Sequence, residues 1–198
     1  MSIKKIITGL TLSLLLASGM ASAADFNKGL NAFNSGDYKT ALAEWIPLAE
    51  QGDVYTQNFL GFALSNGNDA IKDIKSAIKW YTLAAEQGYV DSQYNLGVMY
   101  ANGNGVLEND KTAVKWYTLA AEQGDASAQS NLGSQYRSGE GVLKDNQRAY
   151  MWFSIASFNG NQAGDINKSS VVKEMTPADI SKAQDMSSRC LESNYTDC

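Results

Sequence analysis

The stretch Trp80–Gly88 reads Trp-Tyr-Thr-Leu-Ala-Ala-Glu-Gln-Gly, and Trp116–Gly124 repeats these nine residues without change. The same offset of 36 residues relates Asn95-Leu96-Gly97 to Asn131-Leu132-Gly133. Self-similarity at a fixed period of about 20–50 residues is typical of repeat proteins, in which each unit buries its apolar face against its neighbours. The period therefore predicts a stacked array rather than one globular core.

Degenerate copies extend the period in both directions. Residues 152–160 are a third copy, and residues 45–52 are a copy one residue shorter. We expect all four tryptophans to occupy one repeat position and to fill the gap between neighbouring helix pairs: Trp45, Trp80, Trp116 and Trp152. The glycines at an equivalent small position are expected where helices cross closely: Gly61, Gly97 and Gly133.

Each period contains two helical segments. The first is predicted to run from Asp91 to Ala101 with Asp91 as its N-cap, and the second to begin near Asp110, another N-cap candidate. Gly124 should end that second helix, and Asp125 should cap the next one. The chain is thus predicted to be all-α, a solenoid of antiparallel helix pairs.

Composition excludes several classes of site. The chain has 198 residues with no His, two Cys and a formal net charge of −5. Without His there is no Ser-His-Asp triad and no His-containing zinc site, and two Cys cannot form a four-Cys metal cage. The acidic balance argues against nucleic-acid binding, which needs a basic stripe. We therefore predict no cofactor, no metal and no nucleic-acid partner.

Residues 1–23 are predicted to be a secretory signal peptide. Lys4 and Lys5 form a charged start, residues 6–17 an apolar run, and Ala21-Ser22-Ala23 a small-residue cleavage site. A retained membrane anchor is the alternative, although the run is shorter than the about 20 residues of a spanning helix. The cleaved chain would carry 14 basic and 21 acidic residues and no further membrane span, and would be periplasmic or secreted.

Residues from about 26 to 160 resemble the Sel-one-like repeat (SLR), a relative of the tetratricopeptide repeat. The resemblance rests on Ala120–Gly133, then Tyr136, then Gly139-Glu140-Gly141-Val142 and the following Trp152. Gly36–Leu42 looks closer to an ordinary tetratricopeptide, so the first repeat departs from the pattern. The family implies a right-handed α–α superhelix, here of about four helix pairs over 24–160, and a role as adaptor or scaffold.

Residues 161–198 are predicted to form a helical cap. Thr176-Pro177-Ala178-Asp179 is a favourable helix start, whereas residues 161–170 are polar and receive no firm assignment. Cys190 and Cys198, eight residues apart, are expected to form a disulfide in an oxidising compartment. Their spacing is similar to that of a cysteine-rich SLR subfamily. A redox-active pair or a metal site is the alternative.

The predicted function is non-enzymatic binding of a protein or peptide along the concave face. If the register is similar to that of a tetratricopeptide, the first helices turn an aromatic set and then a polar set inward. The leading candidates are Phe26, Phe33, Tyr55, Asn58, Phe62, Tyr94, Val98 and Arg137, joined by Leu30, Ser65, Ser130 and Ser134. The alternative is that several of these rings belong to the core between helices.

An enzymatic role is the main competing hypothesis. Ser76-Ala77-Ile78-Lys79 matches the Ser-x-x-Lys motif of penicillin-binding enzymes. However, Thr112-Ala113-Val114-Lys115 is its equivalent one period later, and we find no partner motif. We therefore predict no enzymatic activity, with weak β-lactam or peptidoglycan binding or hydrolysis as one alternative and a structural assembly subunit as another.

Overall fold

A computed structural model describes residues 24–67 and 72–198, so the predicted leader 1–23 lies outside the described residues. The regular elements of the described part are helical. They are α1 (Phe26–Asn34), α2 (Tyr38–Glu50), α3 (Val54–Asn66), α4 (Ile74–Glu86), α5 (Val90–Ala101), α6 (Asp110–Ala121), α7 (Ala126–Ser138), α8 (Asn146–Phe158), α9 (Gln162–Val171), a 3-10 turn (Val172–Glu174) and α10 (Pro177–Glu192).

Helices α1 to α8 pack as four consecutive pairs, each stacked on the next. The first helix of each pair contacts its own second helix most extensively and then the second helix of the preceding pair. The first helices also contact one another, α3 with α5, α5 with α7, and α7 with α9, and we call this series the inner layer. The predicted α–α solenoid is confirmed.

Side-chain caps recur with the period and fix where the helices begin. Asp125 caps α7 as predicted, with its carboxylate accepting a bond from the amide of Ala128. Two expected caps are wrong. Asn109 rather than Asp110 caps α6, and α5 begins after Tyr89, so Asp91 lies inside its first turn and caps nothing.

A glycine–aromatic contact sets the distance between the two helices of a pair. A Cβ added to Gly61 would lie 2.6 Å from the ring of Tyr81, and one added to Gly97 would lie 2.5 Å from the ring of Tyr117. Such distances are shorter than van der Waals contact, so each first helix needs a glycine there. Gly133 has the same relation to the Phe153 ring, at 2.7 Å.

Trp45 does not share the repeat position of the other three tryptophans. Its ring lies against Gly29, the place that the Tyr81 ring takes against Gly61. Trp116 instead lies in one buried cluster with Leu96 of its own pair and Tyr81 of the preceding pair. The shortened copy at residues 45–52 therefore places Trp45 one repeat position later than Trp80, Trp116 and Trp152.

A chain of buried amide hydrogen bonds joins successive pairs. Gln93 Nε2 donates to the carbonyl of Ala85 at 3.1 Å, and Gln93 Oε1 accepts from Gln123 Nε2 at 2.7 Å. Gln57 and Gln129 make the equivalent bonds one period earlier and later. Because a buried polar group without a partner is costly, this pattern fixes how each pair sits on the last.

The segment that follows the last helix pair consists of α9, the 3-10 turn and α10. The polar residues 161–170, whose pattern predicted no firm element, lie mostly in α9, and Thr176 and Asp179 form a reciprocal capping box at the start of α10. Helix α10 packs against α8. Cys190 and Cys198 form a disulfide-capable pair with Cα atoms 4.7 Å apart. Among the described helices, none combines the length and apolarity needed to cross a bilayer.

Candidate protein-interaction surface

Two of the aromatic candidates lie in the core. The rings of Phe26 and Phe33 are half-buried, with centroids 6.0 and 5.5 Å from that of Trp45. Both also contact Phe59, and Leu30 packs in the same cluster. Both rings therefore pack against the core of the first pair, which is the alternative that the sequence left open, and a role for them in partner binding stays a prediction.

Tyr55 and Phe62, by contrast, project from α3 into solvent. Their side chains are 66% and 50% exposed. Tyr55 makes an edge-to-face contact with Tyr89, with ring centroids 5.4 Å apart. Tyr89 occupies the position where the flanking repeats carry the capping residues Asp53 and Asp125. The first half of the inner layer thus carries an aromatic patch, which consists of Tyr55, Phe62 and the neighbouring Tyr89. Because Tyr89 replaces a capping aspartate, α5 lacks a side-chain cap.

A hollow of about 630 Å³ opens beside Tyr55, between the starts of α1 and α3. Its apolar lining includes Phe26 and Leu48. Its carboxylates are Asp25 and Asp53, which already accept bonds from the first amides of α1 and α3. The hollow therefore continues the aromatic patch rather than forming a separate polar site.

The middle of the inner layer is mixed in polarity. The amide oxygen of Asn58 accepts a hydrogen bond from the Ser92 hydroxyl at 2.8 Å. Tyr94 is half-buried against the ring of Tyr117, with centroids 6.2 Å apart. Val98 is half-buried and lines a small hollow of about 120 Å³. These candidates are partly accessible, to a degree similar to Phe26 and Phe33.

Two tyrosines of the second helices supply hydroxyls near this middle region. Burial raises the pKa of Tyr117 to about 12, and burial also raises the pKa of Tyr81. The Tyr81 hydroxyl lies 3.4 Å from Ser65 Oγ and lines the small hollow with Ser65. Both phenols therefore stay protonated at neutral pH and can take part in hydrogen bonds.

The second half of the inner layer is polar. Ser130 is buried, whereas Ser134 and Arg137 line a hollow of about 330 Å³. The Arg137 guanidinium donates to Glu174 Oε1 through Nη2 at 2.8 Å and Nε at 3.3 Å. This hydrogen bond and the charges of Arg137 and Lys144 hold the pKa of Glu174 below its usual value.

Sequence reasoning missed Ile166, which extends the inner layer onto α9. Its side chain is 71% exposed and lies one period after Ser130. The available signal was Asn161, which lies one period after Asp125 and caps α9 as Asp125 caps α7. The polar composition of residues 161–170 hid this degenerate first helix.

The Ser and Lys side chains of the Ser-x-x-Lys motif contact residues of α4 and its N-cap. The Ser76 hydroxyl donates to Asp73 Oδ2 at 2.6 Å in the first turn of α4, and that hydrogen bond lowers the pKa of Asp73. Lys79 Nζ lies 5.1 Å from the centre of the Trp80 ring. Within residues 24–67 and 72–198, no group of three or more His, Cys, Asp or Glu side chains is placed to hold a metal ion.

Comparison with known proteins gives structural relatives. A Sel1 repeat protein from Oxalobacter formigenes is 30% identical, with a TM-score of 0.66 over 73% of this chain and 59% of its own. A protective antigen of uropathogenic Escherichia coli strains with an SLR fold is 27% identical, with a TM-score of 0.52 over 86% of this chain and 46% of its own. The chain thus spans less than two thirds of either structure.

A third structure, Helicobacter pylori cysteine rich protein B, shares the fold at 22% identity, with a TM-score of 0.52 over 65% of this chain and 92% of its own. None of the curated proteins compared with the chain matches it. The Sel1 repeat profile matches residues 54–89, 90–125 and 126–161, which are the pairs α3–α4, α5–α6 and α7–α8 with their turns. These matches cover more than half of the sequence, and the chain belongs to the Sel1 repeat family.

Proposed function

We propose that this protein is an exported, non-enzymatic scaffold or adaptor that binds a protein or peptide segment along the inner layer. Sel1 repeat proteins generally mediate protein–protein interactions, on a fold that is generally a non-catalytic scaffold. The observation that carries the proposal is the exposure of Tyr55 and Phe62 on α3. Large exposed rings are typical of binding surfaces, where they act as anchors.

Export is part of this proposal. A charged start, an apolar run and a small-residue cleavage site support a leader at residues 1–23. The disulfide-capable pair Cys190 and Cys198 is compatible with an oxidising compartment. Mass spectrometry of the protein from a periplasmic fraction should therefore find Ala24 as the first residue, and an uncleaved chain would contradict it.

The binding proposal is tested by affinity capture from a cell-envelope fraction. The double variant Tyr55→Ala/Phe62→Ala should capture much less of each protein that the wild type retains, because both anchors are lost. Glu50→Ala/Glu86→Ala is the matched control, with two exposed residues at the ends of second helices. Equal capture by both double variants, with intact helical content, would refute the assignment of the inner layer.

A further inference from the structure

Two cations converge on one carboxylate at the C-terminal end of the inner layer. Glu174, in the 3-10 turn between α9 and α10, receives Arg137 on Oε1 at 2.8 Å and Lys144 on Oε2 at 3.5 Å. Arg137 projects from α7, and Lys144 lies in the loop that precedes α8. Three separate segments of the chain therefore meet at this one ion cluster.

The repeat itself does not require these cations. Ala101 occupies the position of Arg137 one period earlier, and Glu108 occupies that of Lys144. The pair α5–α6 nevertheless packs by the same glycine–aromatic contact as α7–α8. Arg137 and Lys144 are therefore additions to one repeat, and their role lies outside the helix-pair fold.

The surroundings of the cluster suit a ligand larger than the carboxylate now bound. Besides the three charged residues, its hollow of about 330 Å³ is lined by Ser134, Ser138, Phe153 and Asn167. The side chains of Arg137 and Glu174 are 34% and 38% exposed. Ion pairs with this much solvent contact contribute little net stability, so an incoming carboxylate can displace Glu174.

We propose that Arg137 and Lys144 form a carboxylate-binding site for a glutamate side chain within a partner segment, and that Glu174 occupies this site until the partner displaces it. Arg137 donates through Nε and Nη2 to one carboxylate oxygen, Lys144 faces the other oxygen, and the present occupant is itself a glutamate in mid-chain. A guanidinium can also bind both oxygens of an incoming carboxylate through two parallel hydrogen bonds. The inference rests on the proposed function, since it names the chemistry of the partner at one end of the same layer.

The test is an NMR titration of the isotope-labelled protein with N-acetylglutamate α-amide, which carries only a side-chain carboxylate. Glu174→Gln should bind this probe about fivefold more tightly than the wild type, with shifts at Arg137 Nε–H and the amides of Ser134 and Ser138. Adding Arg137→Gln should weaken binding about tenfold. Adding Arg148→Gln should not, because Arg148 pairs with Asp145 outside the cluster.

Two further probes define the ligand. N-acetylglutamine α-amide, which is neutral, should give no saturable shift, and N-acetylalanine, which carries a terminal carboxylate, should bind more weakly. Preference for N-acetylalanine would overturn the assignment to a side chain. Unchanged binding on Glu174→Gln, or binding that survives Arg137→Gln in a folded protein, would overturn the site. Lys144→Gln gives a second variant with the same expected direction.

Either failure would leave the capture experiment on Tyr55 and Phe62 unaffected, because those residues lie at the other end of the layer.

Discussion

Helices α3 and α7 occupy equivalent places two periods apart, yet they agree on one face and differ on the other. Their buried faces carry the same residues in the same order: Gln57, Leu60 and Gly61 on α3, and Gln129, Leu132 and Gly133 on α7. On the other face, the exposed Tyr55 and Phe62 of α3 correspond to the half-buried Ser127 and the exposed Ser134 of α7.

This difference separates what the fold requires from what it leaves free. The shared residues fill a close crossing and donate a buried hydrogen bond to a carbonyl of the preceding pair, so substitution there changes the packing or removes that bond. The differing residues meet solvent, where the solenoid places no such demand. The variable face is therefore where recognition can be encoded without loss of the array.

The largest expected effect on stability is at the close crossing of the two helices of a pair, where a glycine lies against an aromatic ring. Gly97→Val should destabilise the protein by about 3 kcal/mol or more, because the new branched side chain would collide with the Tyr117 ring. Urea denaturation followed by circular dichroism gives the change in midpoint. Ser134→Val, at an exposed position on α7, is the control and should stay close to wild type. Equal midpoints for the two variants would contradict the comparison.

Loss of the disulfide between Cys190 and Cys198 should have the next largest effect on the free energy of unfolding. Tyr195 donates to Asn159 Oδ1 at 3.1 Å, which extends the chain of buried amides beyond the last repeat. Cys198→Ser should lower stability by about 2–3 kcal/mol if the disulfide forms, because the closed loop restricts the unfolded chain. Thermal unfolding with and without reductant measures it, and insensitivity of the wild type to reductant would show that the bond is absent.

Removal of one buried amide should cost somewhat less. Gln93→Leu removes two hydrogen bonds, one to the carbonyl of Ala85 and one from Gln123 Nε2, so we expect a loss of about 2 kcal/mol in the free energy of unfolding. Gln123→Ala, an exposed end of the same chain of bonds, should cost clearly less. If Gln123→Ala were the more harmful change, the buried amide would not be what joins the pairs.

The smallest expected effect is on the face that differs. The double variant Ser127→Tyr/Ser134→Phe copies the exposed pattern of α3 onto α7 and should change the free energy of unfolding by no more than about 0.5 kcal/mol per site. Differential scanning calorimetry of this variant beside the wild type tests it. A loss comparable with that of Gly97→Val would mean that the two faces of the helix are equally constrained.

The repeat period predicted the helix pairs and their close crossings from sequence, because the same buried contact recurs in three pairs. Asp125 and Thr176 were identified as caps since capping depends on a few adjacent residues. Trp45 was misplaced because residues 45–52 are one residue short and the structure keeps Gly52, not Trp45, in register. The packing of Phe26 and Phe33 against Trp45 was only one of two alternatives, since spacing alone does not show whether a ring of a first helix faces solvent or the neighbouring helix.

The central claim, that recognition resides on the inner layer, is tested most directly by site-specific photo-crosslinking in cells. A benzoylphenylalanine at position 62 would replace an exposed ring of the inner layer, and one at position 79 would replace an exposed lysine of the second helix α4. We predict discrete protein crosslinks from position 62 and none from position 79. Crosslinks from position 79 alone, or from both positions equally, would contradict the account.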